Sequence, residues 1–210
     1  MPTLPEMLKA GGPVLWLIIF TSAVAIVVFI ERFLHCHRAQ INSVEFLNGV
    51  RTVLKRQNVV EAISICDATP GPVARLVKTA ILNRDSGRDR VREALEEAGL
   101  AEVPRLEEKL NLLATIAQLA PLLGLFGTVI GFMKTYLIMR NDGLHANVKD
   151  LFDGIWPALI CAAAGLAVAI PAHAAYNYLV SRVNKIVLDM ERSATEIVNI
   201  VTETSEAKPA

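Results

Sequence analysis

The sequence is poor in cysteine and has no excess of charge of either sign. Cysteine occurs at three of 210 positions, Cys36, Cys66 and Cys161, without any CxxC spacing. This scatter excludes a disulfide framework and argues against a zinc site. The 21 Lys and Arg residues balance 21 Asp and Glu residues. A zero net charge gives no electrostatic reason to expect a nucleic-acid partner.

Motifs of hydrolytic and nucleotide-dependent enzymes are also missing. The sequence has no HExxH, no glycine-rich phosphate loop and no serine in a GxSxG context. Each of these motifs reflects a geometry that its chemistry requires. We therefore expect no catalytic residues, no metal site and no cofactor, and we predict that the protein is not an enzyme.

Charge is scarcest where apolar residues concentrate. The chain is 53% hydrophobic and 20% charged, with a mean hydropathy of +0.42. Residues 13–30 and 154–180 contain no Asp, Glu, Lys or Arg, and residues 110–138 contain none except Lys134. Each run is long enough to cross a bilayer as a helix. We predict an all-α membrane protein with three transmembrane helices. The alternative for the first run is a signal peptide, but the residues before it lack the positive charge of such a peptide, since Lys9 is offset by Glu6.

Basic residues are distributed unevenly around these runs. Residues 31–109 contain 13 Lys and Arg, whereas residues 1–12 contain one and residues 139–153 contain two. Basic loops stay on the cytoplasmic side of a membrane. The pattern therefore predicts a periplasmic tail over 1–12, a cytoplasmic helical segment over 31–109, a periplasmic loop over 139–153, and a cytoplasmic C-terminal helix and tail over 181–210.

Within the cytoplasmic segment, apolar residues recur at helical spacing. Ser43 is a candidate N-cap for the first helix, and a second helix is expected after Asn58. The cluster from Thr69 to Pro72 predicts a turn. From Asp89 onward the pattern predicts one helix that runs directly into the second span, with its charges forming a solvated face.

Small residues mark the second and third spans. Gly124, Gly127 and Gly131 lie in the second, and Gly165 lies in the third among many alanines. In lipid, helices associate through close backbone contacts that need small side chains. Because three such helices cannot enclose a core alone, we predict a homo-oligomer.

A few polar side chains fall inside the spans, where they are costly and usually face protein or water. Thr128 and Thr135 share one helical face. Their hydroxyls could line a pathway, or they could simply bond back to their own helix. His173 lies in the inner half of the third span, where it could relay protons or make an interfacial hydrogen bond. The sequence leaves both questions open.

Two long motifs resemble the MotA/TolQ/ExbB proton-channel family, most closely its ExbB/TolQ branch. The first is the stretch that begins LLATIA at Leu112 and continues APLLGLFGTVIG to Gly131. The second begins with Gly154-Ile155, continues AGLAVAIP to Pro171, and is followed by Tyr176-Asn177. Together with the three-span order, the resemblance covers nearly the whole chain.

The resemblance implies a pentamer in the inner membrane whose second and third helices line a pore. A dimer of a single-span ExbD/TolR-like partner would occupy that pore and carry protons on a membrane aspartate. The proton-motive force would then drive motion that energises transport, delivered to a client such as a TonB-like protein.

The sequence departs from the family at the pore. ExbB and TolQ carry a glutamate shortly after Gly-Ile, where this chain has Pro157, and a threonine where it has Ala162. Thr128 is retained, Cys161 is a weakly polar neighbour, and Asp153 could form an acidic ring at the mouth or simply begin a helix. The pathway candidates are therefore Thr128, Thr135, Pro157, Cys161, Ala162 and Asp153. The alternative function is a scaffold that does not conduct, or that passes another ion.

Overall fold

A computed structural model describes residues 11–142 and 148–206, except for the side chains of 142, 148–151, 153 and 204–206. All of its regular elements within these ranges are helical, which confirms the predicted all-α class. The helices are α1 (Gly12–Ala39), α2 (Ser43–Lys55), α3 (Val59–Ala68), α4 (Pro72–Leu82), a 3-10 turn (Arg84–Ser86), α5 (Arg88–Glu107), α6 (Leu110–Asp142) and α7 (Val148–Glu206).

Three helical stretches are long and apolar enough to cross a membrane, as predicted. They lie within Gly12–Lys55, Arg88–Asn141 and Gly154–Glu203, and their best 18-residue windows have mean hydropathies of 2.6, 1.8 and 2.0. No more than 33% of any window is buried inside the protein. Most of their apolar side chains therefore face outward, which suits lipid or further protein subunits.

The described residues divide into two compact units. The first comprises those of Met1–Glu31 and Lys109–Tyr178, and it holds the apolar lengths of α1, α6 and α7. The second comprises those of Arg32–Glu108 and Leu179–Ala210, and it holds the shorter helices α2 to α5. The candidate site lies entirely within the first unit.

The second unit has its own apolar core. Along α7, Val183, Ile186, Met190 and Ile197 are all buried, so the C-terminal length of this helix is amphipathic, as its spacing predicts. The core of α4 is similarly apolar, with buried Val73, Ala74, Leu76, Val77, Ala80 and Ile81.

A buried ionic group accompanies this core. Glu102 is 6% exposed and accepts two hydrogen bonds from Arg75, with oxygen–nitrogen distances of 2.8 and 2.5 Å. Arg105 donates a third at 3.0 Å. Arg32 is also buried and pairs with Glu108 at 3.2 Å. Arg32 and Arg105 are two of the 13 basic residues of segment 31–109 on which the predicted orientation depends.

Two local predictions differ from the structure. Asn42, rather than Ser43, caps α2, since its side chain accepts a hydrogen bond from the Glu45 amide at 3.4 Å. The helix that begins at Arg88 does not run directly into the second span. It ends at Glu107, and Lys109 adopts a positive φ of 62° before α6 begins. The apolar spacing continues across this break, so periodicity alone could not locate it.

The turn predicted over Thr69–Pro72 lies between α3 and α4. Gly71 has a φ of +123°, and a Cβ there would lie 2.9 Å from the carbonyl oxygen of Ala39. Both the conformation and the close approach require glycine at this position.

Candidate functional site

Helices α6 and α7 pack with their backbones in contact. A Cβ added at Gly165 would lie 2.6 Å from the carbonyl oxygen of Ala120 and 2.8 Å from the Cα of Gly124. One added at Gly124 would lie 3.0 Å from the Cys161 oxygen and 3.3 Å from the Cα of Ala162. Real Cβ contacts are rarely this short, so glycine at these positions is what allows the two helices to meet.

Toward the end of α6, the same contact continues. A Cβ at Gly131 would lie 2.5 Å from that of Ala158. Thr135 packs against Gly154, is 6% exposed, and donates its hydroxyl hydrogen to the Gly131 oxygen at 3.1 Å. The structure therefore places Thr135 inside the contact between α6 and α7.

Helix α1 covers one side of this helix pair. A Cβ at Gly127 would meet Cys161 and would lie 3.3 Å from the Val14 side chain. The Cys161 thiol is 2% exposed and donates to the carbonyl oxygen of Gly11 at 3.4 Å. Pro157, which is half-buried, lies one turn before Cys161 and so on the same side. Cys161 is thus enclosed by other residues of the same chain.

The opposite side of the pair remains uncovered by α1. Thr128 and Ala162 follow Gly127 and Cys161 by one residue, and one residue turns a helix by about 100°. Both side chains are half-buried rather than enclosed. We call this side, defined by Thr128 and Ala162, the open flank. Of the pathway candidates, Thr128 and Ala162 are the two that helical geometry places on this flank.

The hydroxyl of Thr128 has a defined hydrogen bond. It donates to the carbonyl oxygen of Leu125 at 2.5 Å, so the bond back to its own helix is present. A hydroxyl that donates in this way keeps its oxygen lone pairs available as acceptors. Thr128 can therefore still accept a hydrogen bond from a donor, such as a protonated carboxyl group, on the open flank.

The open flank extends along α7 toward residue 180. His173 follows Ala162 by eleven residues, or about three helical turns, and lies on the same face. Asn177 follows one turn later, and both side chains are exposed. These polar groups stand on helices whose segments 12–30, 110–133 and 154–180 contain no Asp, Glu, Lys or Arg.

Other candidates lie outside this arrangement. The side chain of Asp153 is outside the described residues, so its predicted acidic ring stays a prediction. Lys134, the first charged residue after the start of α6, is exposed. Among the residues that the structure describes, no cluster of three or more His, Cys, Asp or Glu could hold a metal ion.

Comparison with known proteins identifies the family. Residues 68–192 match the model of the MotA/TolQ/ExbB proton channel family, which is more than half of the chain. This chain belongs to that family. It is therefore an inner-membrane protein of a transport-associated channel family whose members are not enzymes.

The relatives place it in the ExbB/TolQ branch. It is 28% identical to a putative biopolymer transport protein ExbB homolog of Methanothermobacter thermautotrophicus, over 87% of this chain and 64% of the relative. It is 40% identical to the Tol-Pal system protein TolQ of Haemophilus influenzae, over 48% of this chain and 43% of the relative. Each of these two matches thus spans less than two thirds of the relative's own length. A third relative, putative biopolymer transport protein ExbB-like 1 of Synechocystis sp., is 34% identical over 85% of this chain and 70% of its own length.

Sequence reasoning missed how α1 divides the site. The spacing of Gly127 indicated a close helix contact, but a small residue does not specify which helix approaches it. The contacts of Val14 and Gly11 show that α1 is the segment that approaches one side of the α6–α7 pair. No signal in the sequence could have predicted that Cys161 is enclosed while its neighbour Ala162 is only half-buried.

Proposed function

We propose that this protein is the ring-forming subunit of a proton-motive-force-driven motor in the inner membrane, working with a single-span ExbD/TolR-like partner. The observation that carries the proposal is the open flank, where Thr128 offers a hydroxyl among helix segments 12–30, 110–133 and 154–180, which contain no Asp, Glu, Lys or Arg. Membership in the ExbB/TolQ branch of a proton channel family supports proton movement as the activity.

Assembly follows from the apolar surface that a single protomer leaves exposed. On α6, the side chains opposite α7 are large and uncovered, among them Leu122, Phe126 and Met133. Such a surface suits lipid on one side and neighbouring subunits on another. We propose a pentamer, with the N-terminus periplasmic, the C-terminus cytoplasmic, and the open flanks turned toward a central pore that the partner dimer fills.

The open flank would favour a neutral partner carboxyl over a charged one. A carboxylate beside an uncharged wall loses its hydration, so ionisation there is disfavoured. A protonated carboxyl can instead donate a hydrogen bond to the Thr128 oxygen. Protons would then cross as neutral carboxylic acid, and each charge that falls through 100 mV releases about 2.3 kcal/mol. That energy would drive the motion passed to a client such as a TonB-like protein.

One observation favours a second function. Pro157 and Ala162 offer no side-chain hydrogen bond at the positions where the family resemblance leads us to expect a glutamate and a threonine. A pore with so few polar groups suits a family member that serves as a scaffold without conducting, or that passes another ion. The two functions differ in whether the Thr128 hydroxyl matters.

The test replaces Thr128 by valine, which keeps the shape and removes the hydroxyl. Thr115→Val is the matched control, because Thr115 is an exposed threonine of α6 that also bonds back, to the Asn111 oxygen at 2.7 Å. Proton flux is measured in proteoliposomes that contain the chain co-purified with its partner. Loss of one hydrogen bond of about 1.4 kcal/mol corresponds to roughly a tenfold lower flux.

The outcomes separate the candidates. A tenfold loss in Thr128→Val with normal flux in Thr115→Val supports the proton motor. Equal flux in both variants and wild type overturns the role of Thr128. A wild-type complex that carries no proton flux and drives no client under an imposed gradient supports the scaffold.

A further inference from the structure

Helix α5 presents an uncovered face in the second unit. Glu93, Glu97, Leu100 and Pro104 follow one another at spacings of three or four residues, which places them on one side of the helix. All four are exposed, and the Leu100 side chain is 77% exposed. We call this side, defined by these four residues, the α5 face. It combines a projecting apolar side chain with carboxylates on the same surface.

The charge of the α5 face is negative. Glu93 pairs with Arg90 at 2.5 Å, and Glu96, at the edge of the face, pairs with Arg92 at 3.1 Å. Glu97 forms no ion pair with any residue that the structure describes. An anionic membrane surface would repel such a face. The occupant that suits it is a protein surface with basic side chains and room for a leucine.

Helix α2 carries a face with these properties. Gly49, Thr52 and Arg56 lie on one side of it by the same spacing, with Lys55 at the edge, and all four are exposed. A Cβ added at Gly49 would meet no atom within 4 Å, so the surface has room there for a side chain from another molecule. Within the described ranges, neither Lys55 nor Arg56 takes part in an ion pair. We call this side, defined by these four residues, the α2 face.

The two faces run in opposite directions. Helices α2, α3, α4 and α5 contact one another in this order and are joined by short connections, so each is antiparallel to the next. Helices α2 and α5 of one copy are therefore antiparallel. Copies arranged around one rotation axis keep the same direction along that axis. The α2 face of one copy would thus meet the α5 face of its neighbour in an antiparallel pair.

One antiparallel register matches shape and charge together. It places Leu100 of one copy at Gly49 of the next. Arg56 then lies seven residues beyond Gly49, and Glu93 lies seven residues before Leu100. Both are therefore about 10 Å from the apolar contact, on the same side of it, at 1.5 Å per residue. The same spacing on both helices means that one alignment satisfies the leucine and the charges.

We propose that the α5 face of each copy binds the α2 face of the next copy, with Leu100 seated at Gly49 and the carboxylates of α5 opposite the cations of α2; this rests on the ring-forming role proposed above. Two different faces that fit each other make a head-to-tail contact, the type from which closed rings are built. The opposite charges fix the register, and two α5 faces would repel each other.

Cross-linking between two co-expressed chains tests this contact. One chain carries Leu100→Cys, and the other, with a different affinity tag, carries Gly49→Cys; the three native cysteines are buried. Oxidation of membranes that contain both chains and their partner should give a covalent dimer with both tags. The matched control pairs Leu100→Cys with Ser64→Cys, at an exposed serine of α3. We expect little or no mixed dimer from the control.

Charge reversal adds a test that random collisions would not pass. Glu97→Lys in the Leu100→Cys chain should lower the yield of mixed dimer about fivefold, which corresponds to about 1 kcal/mol. Lys55→Glu with Arg56→Glu in the other chain should restore the yield.

Three results would overturn the contact: a mixed dimer no more abundant than in the control, a yield that ignores the charge reversals, or Leu100→Cys chains that cross-link mainly to each other. Each leaves the proposed function standing if the wild-type complex still carries proton flux. A wild-type chain that is monomeric in lipid overturns the proposed ring and this inference together.

Discussion

Replacing Gly165 by alanine tests whether the close contact between α6 and α7 supports the first unit. The added Cβ would lie 2.6 Å from the Ala120 oxygen and 2.8 Å from the Gly124 Cα, against 3.4 Å or more for an ordinary contact. The neighbouring atoms belong to the backbone, so no side chain can rotate out of the way. The two helices must separate, and overpacking of this kind costs about 1–3 kcal/mol.

The control for this variant is Gly99→Ala. Gly99 lies inside α5, and a Cβ there would meet no atom within 4 Å. Alanine should therefore stabilise the helix there by about 0.5–1 kcal/mol. The two variants make the same chemical change at helical glycines, and they differ in whether a neighbouring backbone is close.

Unfolding of each variant is followed by circular dichroism during a denaturant titration in mild detergent. We expect Gly165→Ala to unfold at a lower denaturant concentration than wild type, and Gly99→Ala to unfold at a higher one. The reasoning is refuted if Gly165→Ala matches wild type in a titration sensitive enough to register the Gly99→Ala shift.

Three further predictions concern the second unit. Glu102→Ala removes the carboxylate that holds Arg75 and should lower stability by about 1–3 kcal/mol, measured by thermal denaturation; an unchanged melting temperature would contradict the assigned ion pair. Burial raises the pKa of the Cys66 thiol to about 11, so maleimide should label this thiol slowly at neutral pH and faster as the pH rises toward that value. Mass spectrometry can follow the labelling. Rapid labelling of the native protein at neutral pH would refute the burial of Cys66. Gly71→Ala places a Cβ 2.9 Å from the Ala39 oxygen at a φ of +123° and should cost about 1–3 kcal/mol in the same melting assay, whereas wild-type stability would show that the turn can adapt.

The positions of the three spans and the family of the chain could be predicted from the sequence, because both depend on the order of residues within short segments. An uncharged run of apolar residues has few stable environments besides a membrane, and the motif around Gly124 is long enough to identify the family without a structure. The turn at Gly71 and the helix after Asn58 were equally local, since turn and cap residues act on their immediate neighbours.

Tertiary structure decided which of the small and polar side chains share a surface. Cys161 and Ala162 are adjacent in sequence, yet packing of α1 encloses the first and leaves the second on the open flank with Thr128. The break at Lys109 was also hidden, because apolar spacing continues through it. Hydropathy and periodicity describe what each helix is made of, while the direction in which a side chain points relative to other helices depends on how those helices pack.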